Sequence, residues 1–274
     1  MATPIGNLED ITLRALRTLG EADFVVAEDT RRSRTLCVHH GLSKRLKSLH
    51  AHSSSAAVER ILAALLAGAK VALVTDAGTP LVSDPGAALV QAAASAGVRV
   101  ESIPGPSAVT AALTVAGIVC DEFRFVGFLP RRGRKRSDAL ASIAADRAAT
   151  VIFEAPTRVA ATLNDLAQHA GGERRAAMCR ELTKVHEEVA RGTLAELAER
   201  FASGVRGEVT LVVAGAVEPA EKPEPTASEA ADLDRRIRAL LAAGQTPRDI
   251  ARQVAQETGM PRRDAYRRVL ALRG

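Results

Sequence analysis

Three short segments in the first part of the chain, the apolar runs Phe24–Ala27 and Val71–Val74 and the stretch Val98–Ile103 with Val98, Val100 and Ile103, each break directly into a polar, turn-rich loop. Runs this brief read as buried strands rather than helices. Between them lie stretches with helical spacing: Thr12–Leu19, where Leu13, Leu16 and Leu19 recur, Val58–Leu66 behind three serines, and Ala87–Ala94. Strand, loop and helix in rotation predict a parallel sheet covered by helices. A second set begins near Phe123, with strands expected near Phe125 and over Val151–Phe153, Ala176–Cys179 and Val209–Val213. The expected fold class is α/β, as two α/β domains over residues 1–120 and 121–217.

Residues 218–226 continue a Pro- and Glu-rich stretch that reads as a stiff linker. Residues 227–274 then show three short helical patterns. Leu233, Ile237, Leu240 and Leu241 mark the first, Ile250 and Val254 the second, and Ala265, Val269 and Leu272 the third, with Pro247 and Pro261 at the starts of the last two. Of the formal net charge of +5, four units lie within residues 226–274, where ten arginines face six acidic residues. Arg252, Arg262, Arg263, Arg267 and Arg268 fall opposite the apolar stripes, so this module is expected to expose a basic surface. A second cluster, Arg131, Arg132, Arg134, Lys135 and Arg136, packs five cations into six positions and reads as a basic loop. Such clusters suit phosphate backbones, since each neutralised phosphate releases counterions. Aromatic residues make up only 3% and Trp is absent, which argues against base stacking on an aromatic platform.

Several function classes find no support. The longest uncharged stretch, Ser102–Cys120, is interrupted by Pro-Gly-Pro, so no membrane span is expected, and the N-terminus shows no basic and apolar leader pattern. Three widely spaced cysteines exclude a disulfide scaffold and fit a reducing cytoplasm. There is no phosphate-loop or dinucleotide fingerprint, no nucleophile elbow, and no His/Cys spacing that suggests a metal. What remains is the loops themselves. Glu28–Arg32, Thr75–Gly86 and Pro104–Ala108 follow the three expected strands, and Pro4-Ile5-Gly6-Asn7 opens the chain in the same style. In an open α/β sheet ligands bind beyond the carboxyl ends of the strands, where glycine admits close backbone approach and proline stiffens the loop. The chemistry is then expected to come from a small organic cofactor.

The motifs in these loops, in order, are ATPIGNLEDITLRAL from Ala2, AEDTR from Ala27, DAGTPLVSDPG from Asp76, PGPSA from Pro104, GFLPR from Gly127, EAPTR from Glu154 and CRELTKVHEEVARG from Cys179. Their order and density resemble the tetrapyrrole-methylase superfamily of S-adenosylmethionine-dependent methyltransferases. Within it, the resemblance favours the bacterial branch that methylates a cytidine 2′-oxygen of 16S rRNA, and it runs from Ala2 to about Gly215. The resemblance implies S-adenosyl-L-methionine in a cleft between the two α/β domains, a homodimer, and 16S rRNA or the 30S subunit as partner. By position it assigns cofactor binding to Pro4, Gly6, Asp76, Ala77, Gly78, Thr79, Pro80, Pro104, Gly105, Pro106, Ser107, Ala155 and Pro156. Two departures stand out. The family's first apolar strand would have to precede Ala2, so the first sheet is expected to be short beside the cofactor, and the family's HxxN-like stretch reads His50 to Ser55.

A ribose hydroxyl is a weak nucleophile, so alignment is the main requirement and a base an aid. Asp29, Glu154, Glu181 and Lys184 are the candidate catalytic residues, with the base unassigned among them. Arg31, Arg131, Arg132, Arg134, Lys135, Arg136, Arg262, Arg263 and Arg267 are the candidate RNA contacts, and no metal is expected. Two other functions fit some of the same residues: methylation of a corrin precursor, and nucleic-acid binding without catalysis.

Overall fold

A computed structural model describes residues 1–50, 54–81, 86–216, 227–258 and 260–273. The expected linker 218–226 and part of the His50–Ser55 stretch lie outside them. Residues Met1–Ala216 form one compact unit and the C-terminal helices belong to a second.

In the first unit, Thr12 caps helix α1 (Leu13–Glu21) by accepting a hydrogen bond from the Ala15 N–H. The buried stripe of α1 is Ala15 and Leu19, while Leu13, expected to face the core, is 85% exposed. Strand β1 (Phe24–Ala27) is buried at every residue and pairs in parallel with both β2 (Leu46–Ser48) and β3 (Val71–Leu73), giving the order β2-β1-β3. Helices α2 (Thr30–His39), α3 (Ser55–Leu66), α4 (Ala87–Ser95) and α5 (Ala108–Ala116) follow in this half. Ile61 of α3 and Leu89 of α4 pack with Phe24 and Val26 on one face of the sheet, and α1 and Leu36 of α2 pack on the other.

Val98–Ile103 departs from expectation, for it forms no strand. The chain beside it is Met1–Thr3, whose bonds are dispersed. The Met1 ammonium donates to the Leu73 carbonyl at 2.9 Å, Ala2 N–H to Ile103 at 3.0 Å, and Thr3 makes a two-bond bridge with Gly78. One bond to Ile103 is too little for a ladder, and Val100 is left exposed.

The second sheet has the order β4-β5-β8-β6-β7, with β4 (Phe123–Phe128), β5 (Ala149–Glu154), β6 (Arg175–Arg180), β7 (Glu188–Thr193) and β8 (Val209–Val213). Only β4 and β5 are parallel; β8 runs antiparallel to β5 and β6, and β6 and β7 form an antiparallel pair. Helices α6 (Arg134–Ala145), α7 (Val159–Ala170) and α8 (Leu194–Arg200) cover one face through Leu140, Ile143, Leu163, Leu166, Leu194 and Leu197. Helix α5 covers the other through Val109 and Ala112, against Val151, Ala177 and Val212. Strand β7 escapes a sequence reading because its Glu188, Arg191 and Thr193 lack an apolar run.

The second unit holds α9 (Ala227–Ala242), α10 (Pro247–Thr258) and α11 (Arg262–Leu272) around Ile237, Ile250, Val254, Ala265 and Val269. Arg268 does not join the basic surface: its guanidinium turns inward onto Asp234 at 2.7 Å and the Ala230 carbonyl at 3.0 Å. No helix among the described residues is long and apolar enough to cross a membrane.

Candidate active site

A cavity of about 420 Å³ opens between the two halves of the first unit. The first half contributes Ile5, Asp76–Thr79, Ser107 and Ala108; the second contributes Phe128, Phe153–Pro156, Cys179, Leu182 and Gly207–Thr210. Of the expected cofactor residues, Asp76, Ala77, Gly78, Thr79, Ser107, Ala155 and Pro156 line it. Pro4, Gly6, Pro80, Pro104, Gly105 and Pro106 do not. The Pro106 carbonyl accepts from the Thr79 hydroxyl at 3.3 Å, and the bridge between Thr3 and Gly78 holds the loop from the other side. Gly78 sits at φ 79°, a left-handed conformation that favours glycine.

Asp76 links the cavity to α2. Its carboxylate accepts from the Asp29 N–H at 2.9 Å and lies 3.8 Å from the Arg32 guanidinium. Asp29 itself is outside the lining. Its side chain caps α2 at Arg31 N–H and pairs with the Arg31 guanidinium at 2.6 Å. Hydrogen bonds from the Arg31 side chain and backbone hold the Asp29 carboxyl down to about 2, so it is a poor proton acceptor near neutrality.

Glu154 is 2% exposed at the end of β5. It accepts from Arg158 at 3.0 Å, from the Thr162 hydroxyl at 2.7 Å and from Ala155 N–H at 2.8 Å. Such a carboxylate is compensated on every side, which makes it a brace for the turn that follows.

Glu181 and Lys184 stand at the cavity's edge in a strained turn, where Glu181 and Thr183 take φ values of 52° and 66°. The Lys184 ammonium donates to Glu181 at 2.8 Å and Glu208 at 3.0 Å, and Glu208 N–H donates to Glu181 at 2.8 Å. Burial alone would lower the Lys184 ammonium, but the hydrogen bonds to Glu181 and Glu208 outweigh it and raise the group above its ordinary value. The same Lys184 bond, with that from Glu208 N–H, lowers Glu181. The pair therefore stays ionised near neutrality. Gly6 is fitted against this turn, since a Cβ there would meet Lys184 Cγ and lie 2.8 Å from both Leu182 O and Thr183 Oγ1.

The basic cluster is a helix start more than a loop, for Arg134, Lys135 and Arg136 open α6. Arg131, Arg132, Arg134 and Lys135 are exposed, whereas Arg136 turns in to Asp165 at 2.6 Å, Thr162 at 3.0 Å and the Pro130 carbonyl at 3.1 Å. The side chain of Arg31 is 89% exposed apart from its pairing with Asp29, and Arg262, Arg263 and Arg267 are exposed on α11.

The residues missed from sequence are Ile5, Phe128, Phe153, Cys179, Leu182 and Gly207–Thr210. A rule that looks after strands cannot find Gly207 and Glu208, which precede β8. Because β8 is antiparallel to β5, with Glu154 opposite Val209, its leading loop reaches the edge where β5 ends. No group of three or more His, Cys, Asp or Glu residues that could hold a metal occurs among the described residues.

Residues 2–198 match the profile of the tetrapyrrole (corrin/porphyrin) methylases. The chain belongs to this family. Residues 227–273 of the methylase match the RsmI C-terminal HTH domain. The chain is 46% identical to the ribosomal RNA small subunit methyltransferase I of Mesorhizobium japonicum, over 100% of this chain and 91% of that protein. It is 45% identical to the protein of the same name from Mycobacterium tuberculosis, over 99% of this chain and 94% of that one. Among solved structures it resembles the cobalt precorrin-4 methyltransferase CbiF (TM-score 0.60, 20% identity, 80% of this chain and 95% of that one). Diphthine synthase is similar at TM-score 0.61 and 19% identity, over 78% and 88% of the two chains. These two likenesses establish the shared fold.

Proposed function

We propose that the chain methylates small-subunit ribosomal RNA with S-adenosylmethionine, at the 2′-oxygen of a cytidine in 16S rRNA. The observation that carries this reading is the likeness to the small subunit methyltransferases, which extends over both units of the chain. The exposed cations beside the cavity and on α11 support RNA, and in particular the 30S subunit, as the partner. We also propose a homodimer, the assembly that the family resemblance implies. Cytoplasmic action follows from that substrate.

The cavity suits the cofactor. Its volume of about 420 Å³ falls within the ~300–1,000 Å³ of small-molecule sites. Asp76 offers a carboxylate to a cationic group, and Ile5, Phe153 and Leu182 offer an apolar wall. The Ser107 hydroxyl makes no hydrogen bond among the described residues and stands at the start of α5, where backbone N–H groups favour a carboxylate. Thr75 Oγ1, one residue before Asp76, is buried with no hydrogen-bond partner among the described residues. Bound there, the cofactor supplies a methyl group on a positively charged sulfur.

The protein's own contribution is placement. Asp29 is too acidic and Lys184 too firmly protonated to take the hydroxyl proton near neutrality, and Glu154 and Glu181 are engaged by cations. Lys184, clamped by two carboxylates, fixes the strained turn whose Leu182 lines the cavity. Orientation of this kind can reach effective molarities of ~10⁵–10⁸ M.

Incubation of the protein with methyl-tritiated cofactor and unmethylated 30S subunits, then nuclease digestion and mass spectrometry, tests the reading. One 2′-O-methylcytidine per 16S rRNA is expected, with none when free tetrapyrrole replaces the subunits. Label on a base, or on tetrapyrrole alone, would overturn it.

A further inference from the structure

We propose that Phe128 is a stacking platform for an unpaired RNA base at the mouth of the cavity, a role that rests on the rRNA reading above. The starting observation is a fault in the β4–β5 ladder. Phe125 pairs with Val151 and Gly127 with Ile152, so Val126 is an extra residue, and Gly127 adopts φ 65° to accommodate it. Side chains alternate along a strand, and an unbroken β4 would send Phe128 to the face opposite Phe125. That opposite face is the one where Val126 packs with Ile152 and Leu163. The bulge reverses the alternation after Phe125, bringing Phe128 opposite Phe153 on the cavity side. Bulges commonly re-aim a side chain in this way beside active sites.

Three of the six phenylalanines thereby meet at one wall. Phe125 and Phe153 pack edge to face with centroids 4.7 Å apart, and Phe128 meets Phe153 at 5.8 Å and 62°. Phe128 nevertheless remains 57% exposed. An aromatic ring left this open at a cavity lip, against a half-buried neighbour, is a surface for another flat group. It is also held rigidly. The carbonyl of Leu129 accepts from Arg158 at 2.8 Å and that of Pro130 from Arg136 at 3.1 Å, which pins the chain just after the ring. Exposed Arg131, Arg132, Arg134 and Lys135 come next in sequence. A π-face followed by exposed cations, of which Arg134 also lies 3.8 Å from Asp138, matches a base and its flanking phosphates, and single-stranded RNA is recognised by splayed bases stacked on aromatic rings. The low aromatic content of the chain speaks against stacking in general; the structure concentrates half of the Phe residues where stacking is useful.

Three variants test this in the full-length protein. Phe128→Leu retains apolar volume but removes the π-face, whereas Phe128→Tyr and Phe128→Trp keep it. Base stacking is worth ~1–3 kcal/mol per base, so Phe128→Leu should raise KM for 30S subunits about 5- to 150-fold, with kcat within about threefold of wild type. Tyr and Trp should restore KM, and the cofactor Kd by calorimetry should not move. The same loss should appear in fluorescence anisotropy with a labelled unpaired RNA oligonucleotide, a readout that decides the matter even if no methyl transfer to 30S is found. Wild-type transfer separately reports on the rRNA reading. Equal KM and RNA affinity in Phe128→Leu, failure of Tyr and Trp to rescue, or a weakened cofactor Kd that tracks KM would overturn the proposal; the last would assign the ring to the cofactor instead.

Discussion

The two walls of the cavity are built on different principles. On the first half's side, Asp76–Thr79 and Ser107 are held by short loop bonds: the bridge between Thr3 and Gly78, and Thr79 on the Pro106 carbonyl. On the second half's side, side chains brace one another through Glu154 with Arg158 and Thr162, and through Lys184 with Glu181 and Glu208. A wall drawn by backbone should tolerate loss of one side chain with little change in stability. A wall built from interlocked charges should not.

The sharpest break is expected at Glu154→Ala. It leaves Arg158 and Thr162 facing a vacated buried position, and removing one partner of a buried pair typically costs about 3–5 kcal/mol. Urea denaturation should record that loss together with a weaker cofactor affinity. Asp76→Asn is the counterpart on the other wall. The amide oxygen can still accept from Asp29 N–H while the charge disappears. A hydrogen bond to a charged group is worth ~1.5–3 kcal/mol, so calorimetry should show a cofactor Kd raised about 10- to 150-fold with the urea midpoint nearly unchanged. A large drop in stability for Asp76→Asn, or none for Glu154→Ala, would erase the distinction between the walls.

Gly6→Ala probes where the walls touch. Its Cβ must push aside the Glu181–Lys184 turn, and overpacking of this sort costs about 1–3 kcal/mol. A thermal melt should show the loss.

The smallest effect belongs to the exposed pair of Asp29 and Arg31. Asp29 is near 2 in the folded protein against 3.8 for the free side chain. Its depressed value means that the folded state favours the carboxylate. The resulting stabilisation is complete above about pH 4 and disappears as pH falls through 2. Arg31→Ala should move the Asp29 titration toward 3.8 by NMR and flatten that acid dependence, with a small loss of stability at neutrality, because the pair is exposed, and none below about pH 2. An Asp29 titration unmoved by the substitution would show that the α2 cap, rather than the guanidinium, holds the proton off.

The same contrast explains what could be read from the chain without coordinates. The backbone-drawn wall was legible because Gly78, Pro80, Pro104 and Pro106 are there for local reasons, and local demands are written in local composition. Glu154 and its turn were legible only through likeness to a family, since a Glu after a strand has many uses. Phe128 was not legible: an extra residue in a ladder becomes visible only when the partner strand is known. Gly207 and Glu208 were hidden by the antiparallel direction of β8, and Val98–Ile103 misled because its apolar residues look like a strand while its ladder partner is a single bond from Ala2. Arg136 shows the limit of counting charges. It sits among five cations, yet burial turns it into a structural residue.

Arg136 also has a practical meaning for anyone redesigning this enzyme. Through Thr162, which accepts from Arg136 and donates to Glu154, the basic cluster and the cavity wall share one continuous hydrogen-bonded frame. Arg131, Arg132, Arg134 and Lys135 hang outside that frame. They form an exchangeable tip, so a sequence grafted there could retarget the protein to another RNA while the catalytic chamber keeps its shape, provided the graft rejoins the native chain at Arg136.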